Sequence, residues 1–448
     1  MKLTVDFTKS LGSVKRLHEV GQPPFSGSNT ANFKYLTDAH VKYSRLHDTG
    51  GMFGGGIFVD IPNVFRDFNA DVDDPASYDF AFTDWLIGEM EKAGLEPIYR
   101  LGVTIENYHN IKQYRLDPPS DPMKWARICE HIVRHYNEGW ANGFRYGIKF
   151  WEIWNEPDNG RTTAENAMWY GTPEQYYELY AVTAKHLKKC FGDSIMVGGY
   201  ASCGFYAVTM DPAAYGMADE AQSGRSGDVG LTPDRYRFFV EFFEGFFAYI
   251  KKENAPIDFF SWHSYADVPS TCLMADYVEK KLNEYGYGDL YTMCNEWNNA
   301  SERKLWTTVE AGAKLAAMLC GMAYHKIDMM CYYDARIGLS GYGGLFEPMN
   351  YAPTPAYYAL KAYGELFALG TAHAAEGCDK GVYALAASDG SHKALLVSNI
   401  SGCDKVIETE LIGAKVCLID AEHKLTECKK DAACFELKDM TAALVVWG

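Results

Sequence analysis

The sequence predicts an α/β fold, a (β/α)8 TIM barrel followed by a small C-terminal antiparallel β-sandwich. Between about residues 14 and 368, eight short apolar segments of β-strand character alternate with eight helical patterns. After residue 370, short strands follow one another, separated by Gly, Asn and Asp turns. Strict strand–helix alternation is typical of a closed parallel barrel, and consecutive short strands are typical of antiparallel sheets. We therefore assign the barrel to 13–368 and the sandwich to 369–448, with the N-terminal strand of 1–12 joining the sandwich.

The individual elements follow from hydrophobic periodicity and helix-start signals. Predicted barrel strands are residues 16–21, 41–48, 96–102, 147–155, 195–200, 257–265, 290–298 and 328–334. Predicted helices are residues 29–39, 78–93, 123–137, 173–190, 234–252, 272–285, 303–323 and 354–368. The sandwich strands are predicted at 382–386, 393–399, 405–409, 415–419 and 442–447, with 3–7 added from the N-terminus.

An open doubly wound sheet is the structural alternative. Its glycine fingerprint is absent, because the glycine-rich stretch 50–56 is not a G-x-G-x-x-G turn that opens a helix. We interpret 50–56 and 218–230 as loops on the face where barrel enzymes keep their active sites.

Composition disfavours several classes of function. The chain of 448 residues is 48% hydrophobic and carries a formal charge of −17, which disfavours nucleic acid and anionic membranes as partners. The 12 cysteines are scattered without a C-x-x-C pair, and the N-terminus lacks the features of a secretory signal. We expect a cytoplasmic protein whose thiols are reduced and which needs no metal or other cofactor. The sequence leaves open if the protein forms a homo-oligomer.

Two acidic segments carry the chemistry, WEIWNEP at 151–157 and CNEWN at 294–298. Each is a β-prone run that ends in Asn-Glu beside Trp, and in a parallel barrel such strand ends meet at the open face. Glu156 then ends the fourth strand and Glu296 the seventh. A carboxylate pair there could cleave a glycosidic bond, with retention at about 5–5.5 Å separation and inversion at about 6.5–9.5 Å. The sequence leaves this distance open.

WEIWNEP resembles the acid/base strand of the large clan of (β/α)8 retaining glycosidases. The resemblance extends to glycoside hydrolase family thirty-nine, the β-xylosidase and α-L-iduronidase family. It covers most of the barrel through RLH at 45–47, DWL at 84–86, PIYRLG at 97–102, WHSY at 262–265 and TPAYYAL at 354–360. One position departs from the pattern, because Asn295 stands where this family usually has a hydroxyl or small residue.

The resemblance implies that Glu156 is the general acid/base and Glu296 the nucleophile. Apolar neighbours Trp154 and Pro157 are expected to raise the pKa of Glu156. Arg45 is the candidate cation for Glu296, although it could instead neutralise Glu152.

The remaining predicted substrate-binding residues are Asn155, His47, His263, Tyr265, Trp297 and Tyr333. Asn155 is expected to bind the sugar 2-hydroxyl. His263 and Tyr265 alternate on one strand and should face the same way. Tyr265 could donate to Glu296 and His263 to a sugar hydroxyl, while His263 and Tyr333 could instead be barrel filling. Arg161 and Arg336 could clamp a substrate carboxylate or serve as surface residues.

We therefore predict a retaining glycoside hydrolase, exo-acting and β-xylosidase-like, whose partner is an oligosaccharide or glycoside. Alternatives within the same clan are an endo-glycanase and a uronate- or arabinose-specific glycosidase. From another class, a non-catalytic carbohydrate-binding barrel remains open.

Overall fold

The computed structural model describes residues 1–49, 59–105, 116–218, 231–337, 342–411, 413–429 and 432–447. The predicted loop at 50–56 lies outside the described residues, and so does the loop at 218–230 apart from its first residue.

A closed parallel barrel forms the larger part of the molecule, as predicted. Its strands in chain order are β3 (Arg16–Gly21), β4 (Tyr43–Leu46), β5 (Glu96–Leu101), β6 (Phe150–Ile153), β7 (Met196–Ser202), β8 (Phe259–Ser264), β9 (Tyr291–Trp297) and β10 (Met329–Tyr332). Strand β10 pairs with both β9 and β3, which closes the ring. The predicted strands all occur and lose one to three residues at most ends.

The helices lie between these strands. They are α1 (Phe33–Asp38), α2 (Ile61–Val64), α3 (Ala81–Ala93), α4 (Pro122–Asn137), α5 (Pro173–Phe191), α6 (Tyr206–Met210), α7 (Pro233–Glu253), α8 (Val268–Tyr285), α9 (Val309–Met322) and α10 (Pro355–Leu369). Thr172 caps α5 in a complete capping box with Gln175, and Thr232 caps α7. Among the described residues, no helix has the length and apolar character needed to cross a membrane.

A mixed, mainly antiparallel sheet forms the C-terminal part. Its strands are β1 (Lys2–Val5), β2 (Gly12–Ser13), β11 (Thr371–Glu376), β12 (Val382–Ser388), β13 (Lys393–Asn399), β14 (Lys405–Thr409), β15 (Lys415–Ile419), β16 (Lys424–Lys429), β17 (Cys434–Leu437) and β18 (Thr441–Trp447). The N-terminal strand β1 joins this sheet between β11 and β14. Strands β2, β11, β16 and β17 were not predicted, because their sequences lack sustained apolar alternation.

The C-terminal sheet has two apolar faces. On one face, Leu395 and alternate residues along β13 belong to a hydrophobic core formed by the strands of this sheet, and Leu3 of β1 belongs to the same core. Leu396 faces the other way and belongs to the core shared with the barrel helices. Hydrogen bonds join the two parts, among them those from Ser398 Oγ to the Ala313 carbonyl (2.7 Å) and from the Tyr324 hydroxyl to the Ala384 carbonyl (2.8 Å).

The barrel interior is layered because side chains alternate along each strand. The lowest layer is apolar and comprises Tyr43, Ile98, Phe150, Phe259, Met293, Met329 and Cys331. Two residues further along their strands, Arg45, Arg100, Glu152, Ser261 and Asn295 are buried. These residues make a polar layer that lies between the apolar layer and the carboxyl ends of the strands.

Candidate active site

A cavity of about 860 Å³ opens at the carboxyl ends of the barrel strands. Among the residues that line it are Glu156, Glu296, His47, Asp48, Tyr265 and Tyr333. The two glutamates therefore face one space, where the strand-end argument places them.

The backbone after β6 turns Glu156 into this cavity. Trp154 (φ 72°) and Glu156 (φ 44°) adopt left-handed conformations, which cost non-glycine residues about 1–2 kcal/mol each. The Glu156 amide donates to the Ala201 carbonyl (3.0 Å), which holds the turn. Trp154 consequently points outward, where its ring packs edge-on against Trp169 (5.1 Å).

A bulge in β9 sets the direction of Glu296. Trp262 of β8 pairs with Cys294, and the next residue, His263, pairs with Glu296, so Asn295 is the extra residue. Asn295 therefore lies in the polar layer while Glu296 reaches the cavity above it. Trp297 then faces outward, where it packs against Tyr332 (5.3 Å).

Arg45 connects the polar layer to the site. Its guanidinium donates through Nε to Glu152 (2.7 Å), through Nη1 to Glu296 (3.2 Å) and through Nη2 to Asn155 (2.6 Å). Both roles considered for Arg45 are thus present at once. Asn155 is 1% exposed and is held by this contact with Arg45.

Glu152 is saturated with donors. Ser261 Oγ (2.7 Å) and the Asn295 amide both donate to one carboxylate oxygen, and Arg45 occupies the other. Asn295, the departure from the family pattern, thereby anchors the carboxylate that balances Arg45.

Tyr265 and His263 reach the glutamates from β8 and the residue just beyond it. The Tyr265 hydroxyl donates to Glu296 Oε1 (2.5 Å), which is the expected contact. His263 Nδ1 lies 2.7 Å from Glu156 Oε1 and 3.8 Å from Glu296 Oε2. His263 therefore lies between the two carboxylates, and its contact with a sugar hydroxyl stays a prediction.

Asn159 and Asp158 were missed by sequence reasoning. The Asn159 amide donates to Glu156 Oε2 (3.0 Å), and Arg235 of α7 donates to Asn159 Oδ1 (2.6 Å). Asp158 is buried and accepts from Ser202 Oγ (2.7 Å). Both follow Glu156 in an irregular turn, where no periodic signal marks the direction of a side chain.

Asp48 was also missed, although it directly follows His47 at a strand end. It accepts from the Tyr333 hydroxyl (2.6 Å), from Thr104 Oγ1 and from the Ile105 amide (3.2 Å). Arg100 Nε donates to His47 Nδ1 (3.2 Å), which fixes the ring beside Asp48. The strand-end rule that selected His47 would also have found Asp48.

Burial dominates the electrostatics of the site. It raises the pKa of Glu156 to about 7 and that of Glu296 to about 7, because a buried carboxylate loses hydration. The charge of Glu156 raises the pKa of Glu296 further, so the pair favours holding one proton near neutrality. Burial lowers the pKa of His263 to about 4, so its ring is neutral. The pKa of Glu156 is raised as expected, but Trp154 does not face it.

The separation of the glutamates is short. One oxygen of Glu156, one oxygen of Glu296 and a ring nitrogen of His263 all lie within 4.8 Å of one another. Such a group could also hold a metal ion, but Arg45 and Tyr265 already donate to the two oxygens of Glu296. The arrangement therefore suits a pair of carboxyl groups that exchange protons better than it suits a metal site.

The structure brings together most of the residues predicted for the site. Glu156, Glu296, His47, Tyr265 and Tyr333 line the cavity, whereas Arg45, Asn155 and His263 are buried and are not among the described residues that line it. Trp297 lies in the core instead, because the bulge turns it outward.

Neither arginine considered as a carboxylate clamp is among the described residues that line the cavity. Arg161 pairs with Asp234 (3.1 Å) and Glu241 (2.7 Å) on α7, and Arg336 pairs with Asp334 (3.2 Å). Their charges are thus directed at acidic side chains of the protein itself.

A closed barrel with two glutamates at the ends of its fourth and seventh strands is the arrangement that we expect of a glycoside hydrolase. The sequence profile of glycosyl hydrolases family 39 matches residues 28–302. The chain belongs to this family, which confirms the assignment made from its motifs.

Individual proteins are also similar to this chain. A β-xylosidase from Caldicellulosiruptor saccharolyticus is 26% identical over 217 residues, a match that spans 45% of this chain and 40% of that relative. Two solved structures share the fold over nearly their whole lengths. A glucosidase from Croceicoccus marinus has a TM-score of 0.75 at 21% identity, with 99% of this chain and 98% of that chain covered. A family 39 β-xylosidase from Caulobacter crescentus has a TM-score of 0.68 at 17% identity, with 100% and 99% covered.

Proposed function

We propose that this protein is a retaining exo-glycosidase of β-xylosidase-like specificity that acts on small oligosaccharides. The observation that carries the mechanism is the approach of Glu156 and Glu296 oxygens to within 4.8 Å. Carboxyl groups about 5–5.5 Å apart allow direct attack on the anomeric carbon, whereas inversion needs about 6.5–9.5 Å to admit a water. The short separation therefore supports double displacement.

In the first step Glu156 gives its proton to the glycosidic oxygen while Glu296 attacks the anomeric carbon. The carbon–oxygen bond to the leaving group breaks, and a glycosyl ester forms on Glu296. In the second step the Glu156 carboxylate takes a proton from water, whose oxygen displaces Glu296. Glu156 ends protonated and Glu296 ionised, so the cycle closes without a cofactor.

The surrounding contacts suit these roles. Arg45 and Tyr265 donate to Glu296 and favour its ionised form. Glu156 receives one amide bond, from Asn159, and faces the neutral ring of His263. Glu156 is therefore the member of the pair better suited to hold the shared proton.

The substrate is proposed from the relatives, because a β-xylosidase is among the proteins whose sequence is similar to this chain. Recognition of a uronate by Arg161 or Arg336 is less well supported, because both arginines are paired with acids of the protein. The non-catalytic alternative is disfavoured because both glutamates are present and face each other.

Hydrolysis of aryl glycosides by single-site variants tests the mechanism. Glu296→Ala should lower kcat for an activated aryl β-xyloside by about 10⁴-fold or more, because the nucleophile is lost. Glu156→Ala should regain turnover with azide and give a glycosyl azide of retained configuration. The exposed Glu178→Ala on α5 serves as the matched control.

Near-normal turnover by Glu296→Ala, or a glycosyl azide of inverted configuration from Glu156→Ala, would refute the mechanism. A panel of aryl β-xyloside, α-arabinoside, β-glucoside, β-galactoside and glucuronide then tests the sugar. We expect the highest kcat/KM for the β-xyloside. A higher kcat/KM for another glycoside of the panel would change the proposed sugar specificity and leave the proposed mechanism as it is.

A further inference from the structure

We propose that the outer face of the barrel carries a zinc-type metal site formed by Glu130 of α4 with His186 and Cys190 of α5. We call these residues the α4–α5 triad. None of them is among the described residues that line the active-site cavity. The proposal is independent of the glycosidase mechanism.

The geometry of the triad is close to that of a metal site. His186 and Cys190 are four residues apart on α5 and so share one face of that helix. Glu130 Oε2 lies 2.6 Å from His186 Nε2, and Cys190 Sγ lies 3.8 Å from the same nitrogen. One ligand atom from each residue lies within 4.8 Å of the other two.

A bound ion requires only small movements. Zinc–nitrogen and zinc–oxygen bonds of about 2.0–2.1 Å and zinc–sulfur bonds of about 2.3 Å place tetrahedral ligand atoms roughly 3.3–3.6 Å apart. The Glu130–His186 contact must therefore open by less than about 1 Å, and both side chains are only partly buried. A fourth position stays available for water, as in a three-ligand zinc site.

The ligand types select the class of ion. Imidazole, thiolate and carboxylate together are the donors that Zn²⁺ and its relatives take, whereas Ca²⁺ and Mg²⁺ prefer oxygen alone. Binding displaces the thiol proton of Cys190, so a metal–sulfur bond forms and one H⁺ is released.

Arg134 orients the carboxylate as an outer partner of the site would. Its Nε donates to Glu130 Oε1 (2.7 Å), which leaves Oε2 directed at His186. Arg134 also pairs with Glu138 and packs over the Phe191 ring (5.1 Å), so its position is held from two sides. A metal bound here would link α4 to α5 and stabilise that pair of helices.

Cobalt titration of the whole protein tests the site, because a thiolate bound to Co²⁺ gives a charge-transfer absorption band. Wild type should develop this band at about one Co²⁺ per chain, and Zn²⁺ should abolish it. Cys190→Ser should lose the band, and His186→Gln should bind at least about 100-fold more weakly. Cys403→Ser, which removes an exposed thiol elsewhere, should leave the titration unchanged.

Stability gives a second measurement. Zn²⁺ should raise the Tm of wild type and leave that of Cys190→Ser unchanged. The Glu296→Gln variant should keep the band, which separates the triad from the glutamate pair in the cavity. Absence of the band in wild type at millimolar Co²⁺, or its persistence in Cys190→Ser, would overturn the proposal. If His186→Gln does not fold, the titration of Cys190→Ser alone decides.

Discussion

At the scale of single residues, the two glutamates differ in the donors that face them. Glu296 receives a guanidinium and a phenol, while Glu156 receives an amide and contacts a neutral imidazole. Burial raises the pKa of both to about 7, so the proton is distributed by these donors and not by burial. A charged or hydroxyl donor stabilises the ionised form more than an amide does.

This difference predicts a bell-shaped dependence of kcat/KM on pH, centred near 7. Activity needs Glu296 ionised, so it is lost as pH falls through the pKa of that group. It also needs Glu156 protonated, so it is lost as pH rises through the pKa of Glu156. Tyr265→Phe removes a donor to the Glu296 carboxylate and raises its pKa further. We expect the acidic limb to move upward by on the order of one pH unit, with the alkaline limb unchanged.

The control is Tyr332→Phe, whose hydroxyl contacts Asn298 and neither glutamate. The pH profile of an aryl glycoside measures both variants. A Tyr265→Phe profile that moves on its alkaline limb instead would mean that the two roles are exchanged.

At the scale of elements, the sequence predicts the regular alternation of inward and outward side chains along the barrel strands. It does not predict where that alternation is interrupted. In the structure Arg45, Glu152 and Ser261 lie two residues beyond apolar residues of the lowest layer, as regular alternation requires. Trp154 and Trp297 escape this reasoning. The left-handed backbone conformation of Trp154 turns that side chain outward, and the bulge at Asn295 turns Trp297 outward. Both features depend on packing between strands, which the local sequence does not encode.

The polar layer predicts a large cost for losing one member. Glu152→Gln removes the charge that balances Arg45 in a fully buried pair, for which a penalty of about 3–5 kcal/mol in the free energy of unfolding is typical. Urea denaturation measures it. Asp73→Asn provides the control, since it breaks a pair with Arg127 that is exposed and should cost less than about 1 kcal/mol. Equal stability of the two variants would contradict a structural role for the polar layer.

At the scale of the whole molecule, the barrel and the C-terminal sheet share a core. Leu396 lies in the cluster that contains the helices of the barrel, whereas its neighbour Leu395 lies in the core inside the sheet. Successive residues of β13 thus stabilise two different interfaces. Because β1 also carries the N-terminus into the sheet, both ends of the chain contribute to it.

We therefore predict that the two parts unfold together. Leu395→Ala and Leu396→Ala should each cost about 2–5 kcal/mol, because each leaves a cavity in a buried core. Loss of the sheet would uncover the apolar face of α9 and α10, so either variant should show one transition, with tryptophan fluorescence and far-UV circular dichroism coincident in urea. Val406→Ala on β14, where the side chain is exposed, should change stability by less than about 0.5 kcal/mol. If Leu395→Ala instead melts the sheet before the barrel, the shared core is too weak to couple them.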